Sequence, residues 1–329
     1  MEKTYIKVLK ELMRADRYIS GENISEKLNI SRSAVWKAIE KLRQEGCEII
    51  ASTNRGYMLK NKEKIVTESL IKEFAHIDND FCILQTINST NLYANRLAID
   101  GAKNGTVVVS MEQTQGSGRL GRSFSSPKYE GIYYSYILEP HCSAEKLSML
   151  TSLAGLCVCE TLAEVTNEAF SIKWPNDIIY NGKKVSGILT RLVTNAETME
   201  ISHAIIGIGI NVLQSSFQED LADKAISLLQ ITGKSFSLSQ IIAILTQKLN
   251  TMFIEHNSLI ESSEENLTRL RELSCTVGKE VNVISPLDER RGMAIGIADN
   301  GGLIVDFGSH IETVLCGEVS VRGVLGYSQ

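Results

Sequence analysis

The chain opens with two stretches of helical period and a third that ends in a glycine. In "YIKVLKELMRA" the apolar positions 5, 6, 8, 9, 12 and 13 repeat at close to 3.6 residues. "GENISEKL" follows a polar break, and "NISRSAVWKAIEKLRQEG" carries Val35, Ile39 and Leu42 at i, i+4, i+7. Ser31 is placed to cap that third helix and Gly46 to end it. The period then changes. "CEIIASTNRGYMLK" reads as two short strands around Asn54-Arg55-Gly56. Further along, "TVVVSMEQ" (106–113), "IYYSYIL" and "IIGIGINV" (205–212) predict strands, and "LYANRLAIDG" predicts a helix. "LSMLTSLAGLCVCETLAEV" is apolar on all sides and predicts a buried helix. Asn181-Gly182 is a two-residue hairpin signal. The tail is strand-rich, with "EVNVI", "GMAIGIA" and "LIVDF" at regular spacing.

Charge sharpens the reading of the first sixty residues. They hold 12 lysines and arginines against 8 acids, whereas the remaining 269 hold 22 against 31, a net of −9. A small basic module on an acidic body suggests a nucleic-acid reader. Two helices joined by the turn at Asn29 to Ser31, followed by a hairpin, make a winged helix-turn-helix. Arg32, Ser33, Trp36, Lys37 and Lys41 lie off the apolar stripe of the third helix, and Arg55 sits at the wing tip; these are the candidate DNA contacts. A three-helix packing domain with solvated charged faces is the alternative, but motif, charge and wing together favour DNA. "NKEKIVTE" reads as a polar linker over 61–67. Seven scattered cysteines predict a reducing, cytoplasmic setting without disulfides. Cys157 and Cys159 fall in the buried helix, where packing explains them better than a metal. No uninterrupted apolar run approaches a membrane span, and the first residues are no signal peptide, so no membrane is expected.

"TQGSGRLGRSFSSP" (114–127) satisfies G-x-G-x-x-G through Gly116, Gly118 and Gly121. A dinucleotide-binding turn should open a helix after its strand. Here "RSFSSPKYEG" has no helical apolar period, and Pro127 and Gly131 interrupt it. A crossover is therefore not expected, and the stretch reads as a long irregular loop carrying two arginines suited to phosphate or carboxylate.

Four more stretches stand out. "NSTN" (88–91) precedes a helix, where it serves as a cap or holds a small polar ligand. "IKWPNDIIYNGKKVSGILT" (172–190) ends one strand at Lys173-Trp174-Pro175-Asn176-Asp177 and brings Lys184 into another, with Gly187 allowing close backbone approach. Gly207 and Gly209 interrupt a buried strand, an arrangement best explained by a ligand lying on the sheet. "GEVSVRG" places Arg322 near the end of the chain. In order and spacing these stretches resemble the bifunctional biotin protein ligases of the biotin operon repressor type. That family carries Ser-Thr-Asn before a helix, G-R-G-R-x-G-R, K-W-P-N-D, K-x-x-G-I-L, G-x-G-I-N and G-E-x-S-x-R behind a winged helix. The resemblance covers essentially the whole chain.

The resemblance implies a multidomain α+β fold. A winged helix-turn-helix occupies 1–60, an α/β ligase domain with a mixed, class II synthetase-like sheet 68–270, and an SH3-like β-barrel 275–329. It implies that biotin and ATP form biotinyl-5′-AMP, and that biotin then passes to a lysine of a biotin carboxyl carrier protein. Lys184, Arg119 and Arg122 are the implied catalytic residues. Ser89, Thr90, Asn91, Gln113, Gly116, Ser117, Gly118 and Gly187, with Arg119 and Lys184, are the implied biotin site. Phe124, Asn176, Asp177, Asn211 and Arg322, with both arginines, are the implied nucleotide site. Mg²⁺ arrives on the ATP phosphates rather than in a protein cage. The family further implies a homodimer on adenylate binding and repression at operator DNA. The chain departs from the pattern at Ser117 (for arginine), Phe124 (for tryptophan), Arg191 (for an acid) and Leu213 (for a polar residue). Ser117, Phe124 and Arg191 motivate one alternative, a biotin-sensing DNA-binding regulator with weak or absent ligase activity; a further one is a lipoate or other acyl ligase on the same catalytic fold, which the winged helix and K-W-P-N-D argue against.

Overall fold

The computed structural model describes residues 3–15, 17–140, 142, 144–194, 201–256, 264–285, 288–315 and 320–323, with 144–146 and 320–323 described through their backbone alone. It separates into two compact units. One comprises residues 1–74 with 237–240, the other 75–236 with 241–329.

In the first unit, α1 (Thr4–Arg14), α2 (Gly21–Leu28) and α3 (Arg32–Gln44) precede a hairpin of β1 (Ile49–Ser52) and β2 (Gly56–Leu59). The turn between α2 and α3 is made by Asn29, whose left-handed φ of 49° ends α2. The Ser31 hydroxyl then accepts from the Ala34 N–H at 3.2 Å and caps α3. Gly46, at φ 92°, ends the helix as expected. Val35, Ile39 and Leu42 are buried with Leu9, Leu12 and Ile24 in one core. Ile65, and Leu70 from α4 (Glu68–Phe74), join that core, so the 61–67 stretch packs with this unit. Gly56 is dictated by its neighbours. Its φ is 100°, and a Cβ there would stand 2.1 Å from the Ile19 carbonyl oxygen, where Ile19 bridges Tyr57.

The second unit is built on a seven-stranded sheet in the order β3-β4-β5-β9-β8-β7-β6. Its strands are β3 (Phe81–Leu84), β4 (Val107–Ser110), β5 (Gly131–Leu138), β6 (Ser171–Lys173), β7 (Asp177–Tyr180), β8 (Lys183–Thr194) and β9 (Ile201–Asn211). β3 and β4 are parallel and the other pairs antiparallel, so the sheet is mixed. β4 returns directly to β5 as an antiparallel neighbour, which excludes a crossover helix and with it a dinucleotide turn. Asn181 and Gly182, both at positive φ, make the tight β7–β8 turn. α5 (Thr90–Ile99) packs on β4, β5, β8 and β9. α6 (Leu150–Thr166) packs on β6, β7 and β8. Residues Leu147–Thr166 are long and apolar enough by composition to cross a membrane, yet most of that window is buried inside the unit. Burial pushes the Cys157 and Cys159 thiols of α6 up to about 12.

Beyond the short α7 (Glu219–Ala222) and α8 (Leu228–Thr232), α9 (Leu238–Asn250) and α10 (Glu264–Leu273) lead to a second sheet. Its strands are β10 (Glu280–Ile284), β11 (Glu289–Ile297), β12 (Leu303–Asp306), β13 (Ile311–Val314) and β14 (Ser320–Gly323). They pair antiparallel in the order β13-β12-β11-β10-β14. Among the described residues β13 and β14 do not pair, so the described strands form an antiparallel sheet and no closed barrel is found.

Replacing Gly56 by alanine should destabilise the first unit by about 1–3 kcal/mol, because it forces a side chain into a strained backbone position against a carbonyl. Amide hydrogen exchange of α1 to α3 reads this directly. Unchanged protection would show that the wing accommodates a Cβ.

Candidate active site

Lys184 lies in β8 three residues before Gly187, so simple alternation would put the two on opposite faces of the sheet. The β7–β8 ladder decides otherwise. Asp177 pairs with Gly187 and Ile178 with Ser186, but Ile179 pairs with Lys184, leaving Val185 as an extra residue. That bulge turns Lys184 to the face of Asp177 and Gly187. The Lys184 ammonium then lies 2.6 Å from Asp177 Oδ1. Gly187 leaves room for it, since a Cβ there would stand 2.7 Å from Lys184 Nζ. The backbone of Lys184 is fixed from the other side: its N–H donates to the Lys224 carbonyl and its carbonyl accepts from Ile226 N–H. Lys173, half-buried across the turn from Asp177, is held below the usual lysine range by burial, with Asp177 acting against that shift.

Asn176 ties this pair to the glycine loop. Its Oδ1 accepts from Arg119 at 3.2 Å, and its Nδ2 donates to Asp177 Oδ1 at 3.1 Å and to the Ile188 carbonyl at 3.2 Å. The loop itself is a narrow hairpin. Phe124 N–H donates to the Gly116 carbonyl, Gly118 N–H to the Arg122 carbonyl, and Ser117 bridges Ser123. Gly116 is required by closeness, since a Cβ would meet the Phe124 carbonyl oxygen at 2.4 Å. Leu120, exposed at the tip, has a φ of 54°, an uncommon conformation for a bulky residue.

A polar network closes the opposite end of the cleft. Ser89 starts α5 without a side-chain capping bond. Gln113 does that work from a neighbouring segment: its Oε1 accepts from the Thr90 N–H at 2.8 Å and lies 3.1 Å from Thr90 Oγ1. Ser135 of β5 stands 2.9 Å from Thr90 Oγ1 and 2.6 Å from Asn91 Oδ1, and Asn91 donates to the Leu189 carbonyl. Ser135 was not singled out from sequence. Its signal is present, as the one small hydroxyl side chain among the bulky residues of the buried strand "GIYYSYIL". Tyr134, fully buried and bonded to Thr246, contributes to the lining, and burial keeps its phenol well above its ordinary range.

The structure brings Ser89, Thr90, Asn91, Gln113, Ser117, Gly118, Arg119, Phe124, Asn176, Lys184 and Gly187 to one cleft. Gly116 and Asp177 stand just behind that lining. Arg122 is exposed and does not line the cleft. Asn211 is buried, with its amide 3.4 Å from the Lys184 and Ile226 carbonyls, so it holds the Lys184 segment from outside. The Arg322 side chain lies outside the described residues. Gly207 and Gly209 do line the cleft, but the space a Cβ would fill is taken by the protein itself. The Asn91 amide is 2.2 Å from that point at Gly207, and the Phe124 ring 2.5 Å at Gly209. The glycines therefore admit the chain's own side chains, where the sequence suggests a ligand on the bare sheet. Arg191 is exposed and outside the cleft, and Leu213 is buried.

On the first unit, Arg32, Ser33, Trp36, Lys37 and Lys41 are exposed along α3, and Trp36 is 56% exposed. Arg32 pairs with Glu22, Ser33 with the Ser31 hydroxyl, and Lys41 sits 3.9 Å from the centre of the Tyr5 ring. Arg55 at the wing tip lies 5.9 Å from the Tyr18 ring centre.

The biotin/lipoate A/B protein ligase family matches residues 83–211, an HTH domain residues 6–58, and the biotin protein ligase C terminal domain residues 276–322. The bifunctional ligase/repressor BirA of Bacillus subtilis is 32% identical over 98% of this chain and 100% of its own length. The protein of the same name from Escherichia coli is 26% identical over 94% and 95%. Among solved structures, the Aquifex aeolicus biotin protein ligase in complex with biotin and ATP is similar, with a TM-score of 0.63, 29% identity, and 75% of this chain and 100% of that chain covered. With its cleft, its helix-turn-helix and its relatives in agreement along the whole length, the chain belongs to the bifunctional biotin ligase/repressor family.

Proposed function

We propose that this protein activates biotin with ATP to biotinyl-5′-AMP, transfers the biotinyl group to a lysine of a biotin carboxyl carrier protein, and represses biotin genes through its first unit. The observation that carries this reading is the cleft itself, with Lys184, Asp177, Asn176 and Arg119 at one end and Thr90 and Gln113 at the other.

Adenylation joins two anions. A biotin carboxylate oxygen attacks the α-phosphorus of ATP, and the bond to pyrophosphate breaks. Fixed positive charge is what such a transition state needs. Lys184 supplies it, exchanging Asp177 for the reacting oxygens, and Arg119 exchanges Asn176 in the same way. The ureido ring of biotin requires donors and acceptors; Ser89, Thr90, Asn91 and Gln113 offer both, and Ser117 and the backbone at Gly118 add more. Mg²⁺ belongs with the nucleotide, since it binds chiefly through substrate phosphates and one or two carboxylates. It would neutralise the triphosphate, and the oxygens of Asn176 and Asp177 are the groups that would help to hold it. In the second step the acceptor amine attacks the biotinyl carbonyl carbon, the carbon–oxygen bond breaks and AMP leaves. The 116–124 hairpin shields the mixed anhydride from water, Phe124 covers the adenine, and Arg122 joins when the hairpin closes. Asn211 steadies Lys184, and Arg322 assists on the nucleotide side.

The finer architecture belongs to the same reading. The C-terminal sheet is an SH3-like barrel over 275–329, and the central sheet, over 68–270, is class II synthetase-like. The DNA module is 1–60, and the protein acts in the cytoplasm. Adenylate binding favours a homodimer through the central sheet, which presents two α3 helices to two half-sites.

Lys184→Ala should lower adenylate formation by at least about a hundredfold, on the order of 3 kcal/mol of transition-state stabilisation. Circular dichroism should show the fold intact, and near-normal adenylation would remove Lys184 from the chemistry. Gly187→Ala should leave the melting temperature nearly unchanged, because only the mobile end of Lys184 must yield, while slowing adenylation about tenfold or more. Equal rates would mean that the ammonium's position is not critical. A gel shift on the protein's own biotin-gene promoter should show tighter binding with biotin and ATP than without, weakening steeply with salt. Equal affinity in the two conditions would sink the corepressor model.

A further inference from the structure

The Lys173-Trp174-Pro175-Asn176-Asp177 turn faces two ways. Asn176 and Asp177 point their contacts into the cleft. Trp174 does the opposite. Its side chain is 2% exposed and belongs to the core of the C-terminal sheet, among Val281, Val283, Ala294, Leu303, Val305 and Val314. The indole N–H donates to the Gly301 carbonyl at 3.0 Å, and the Trp174 backbone N–H donates to Thr276 Oγ1 at 2.9 Å. β6, which leads into the turn, is bridged at Ile172 by Ser274, with Cys275 N–H on the Ile172 carbonyl.

The distance along the chain is short. One residue separates Trp174 from Asn176, which holds Arg119, and two separate it from Asp177, which holds Lys184. The turn is closed by Asn176 N–H on the Lys173 carbonyl, so there is little slack to absorb a shift. Movement of the tryptophan therefore passes into both cationic groups of the cleft. The Thr90–Gln113–Ser135 end shares none of these bonds.

We infer that Trp174 is a positioning residue for adenylation, through which the C-terminal sheet sets the placement of the Lys184–Asp177 pair and of Arg119. The inference rests on the reading of this cleft as an adenylate-forming site. It assigns Thr276 a part in the same tether, as the acceptor that fixes the Trp174 backbone.

The test is single-turnover adenylate formation by the full-length protein at saturating biotin and Mg·ATP, with the biotin Kd measured in parallel. Trp174→Ala should slow adenylation about tenfold or more, and Thr276→Val by about threefold or more, because sub-ångström displacement of reacting groups is costly. Thr276→Ser, which keeps the hydroxyl, should restore the rate to within about twofold, and biotin Kd should change by less than about threefold throughout. Val305→Ala removes volume from the same core without touching either hydrogen bond. It should lower the melting temperature yet leave the rate within about twofold. Rates near wild type for both Trp174→Ala and Thr276→Val overturn the tether, and so does a Val305→Ala enzyme as slow as they are. If Trp174→Ala does not fold, Thr276→Val and its serine counterpart decide alone. If the wild type makes no adenylate, the functional reading fails and not the tether.

Discussion

The ion pair between Lys184 and Asp177 is the contact on which the catalytic unit converges. Four separate constraints meet there. The bulge at Val185 turns the lysine to the cleft face, Gly187 leaves it room, the Lys224–Ile226 segment and Asn211 hold its backbone, and the Trp174 turn places the carboxylate. The first two lie in β8 itself, and the others come from elsewhere in the chain. In the proposed mechanism this partly buried ammonium is stored charge, which Asp177 compensates before ligands arrive and which anionic substrates take over when they bind.

The protein joins two electrostatic regimes. The first unit is basic and presents a recognition helix whose cations have local partners, such as Glu22 for Arg32 and the Tyr5 ring for Lys41. The rest of the chain carries −9 and repels a polyanion at long range. The candidate DNA contacts therefore lie on that one helix face and the wing, with Trp36 the largest exposed apolar group along the helix. The proposed homodimer answers this constraint, since a single helix offers few phosphate contacts.

The departures from the family pattern have physical settings that composition hides. Leu213 is buried, and its N–H donates to the Glu130 carbonyl, so an apolar residue suits the site. Arg191 is exposed and clear of the cleft lining, and so does not set the ligand field. Phe124 bears directly on the cleft: its ring rests where Gly209 lacks a Cβ, so ring and glycine have to be understood as a pair.

Sequence by itself determined the elements and the identity of most cleft residues. Helix caps at Ser31 and Gly46, the Asn181-Gly182 turn and the β-branched runs are local signals, because capping, left-handed turns and strand sterics act within a few residues. The missing helix after "TQGSGRLGR" is equally local, and the sequence alone argues against a dinucleotide turn there. Tertiary structure decided which way side chains face and what they touch. Alternation along β8 gives Lys184 the wrong face, and only pairing with β7 reveals the bulge, because a bulge is a property of two strands. Gly207 and Gly209 signal close approach in the sequence, but the approaching groups, Asn91 and Phe124, lie on distant segments. Trp174 reads as part of a catalytic motif, and its burial in the C-terminal core depends on contacts more than a hundred residues away, as between its indole and Gly301. Periodicity carries no information about such pairs, since they are fixed by packing between elements and not by the chain's local conformational preferences.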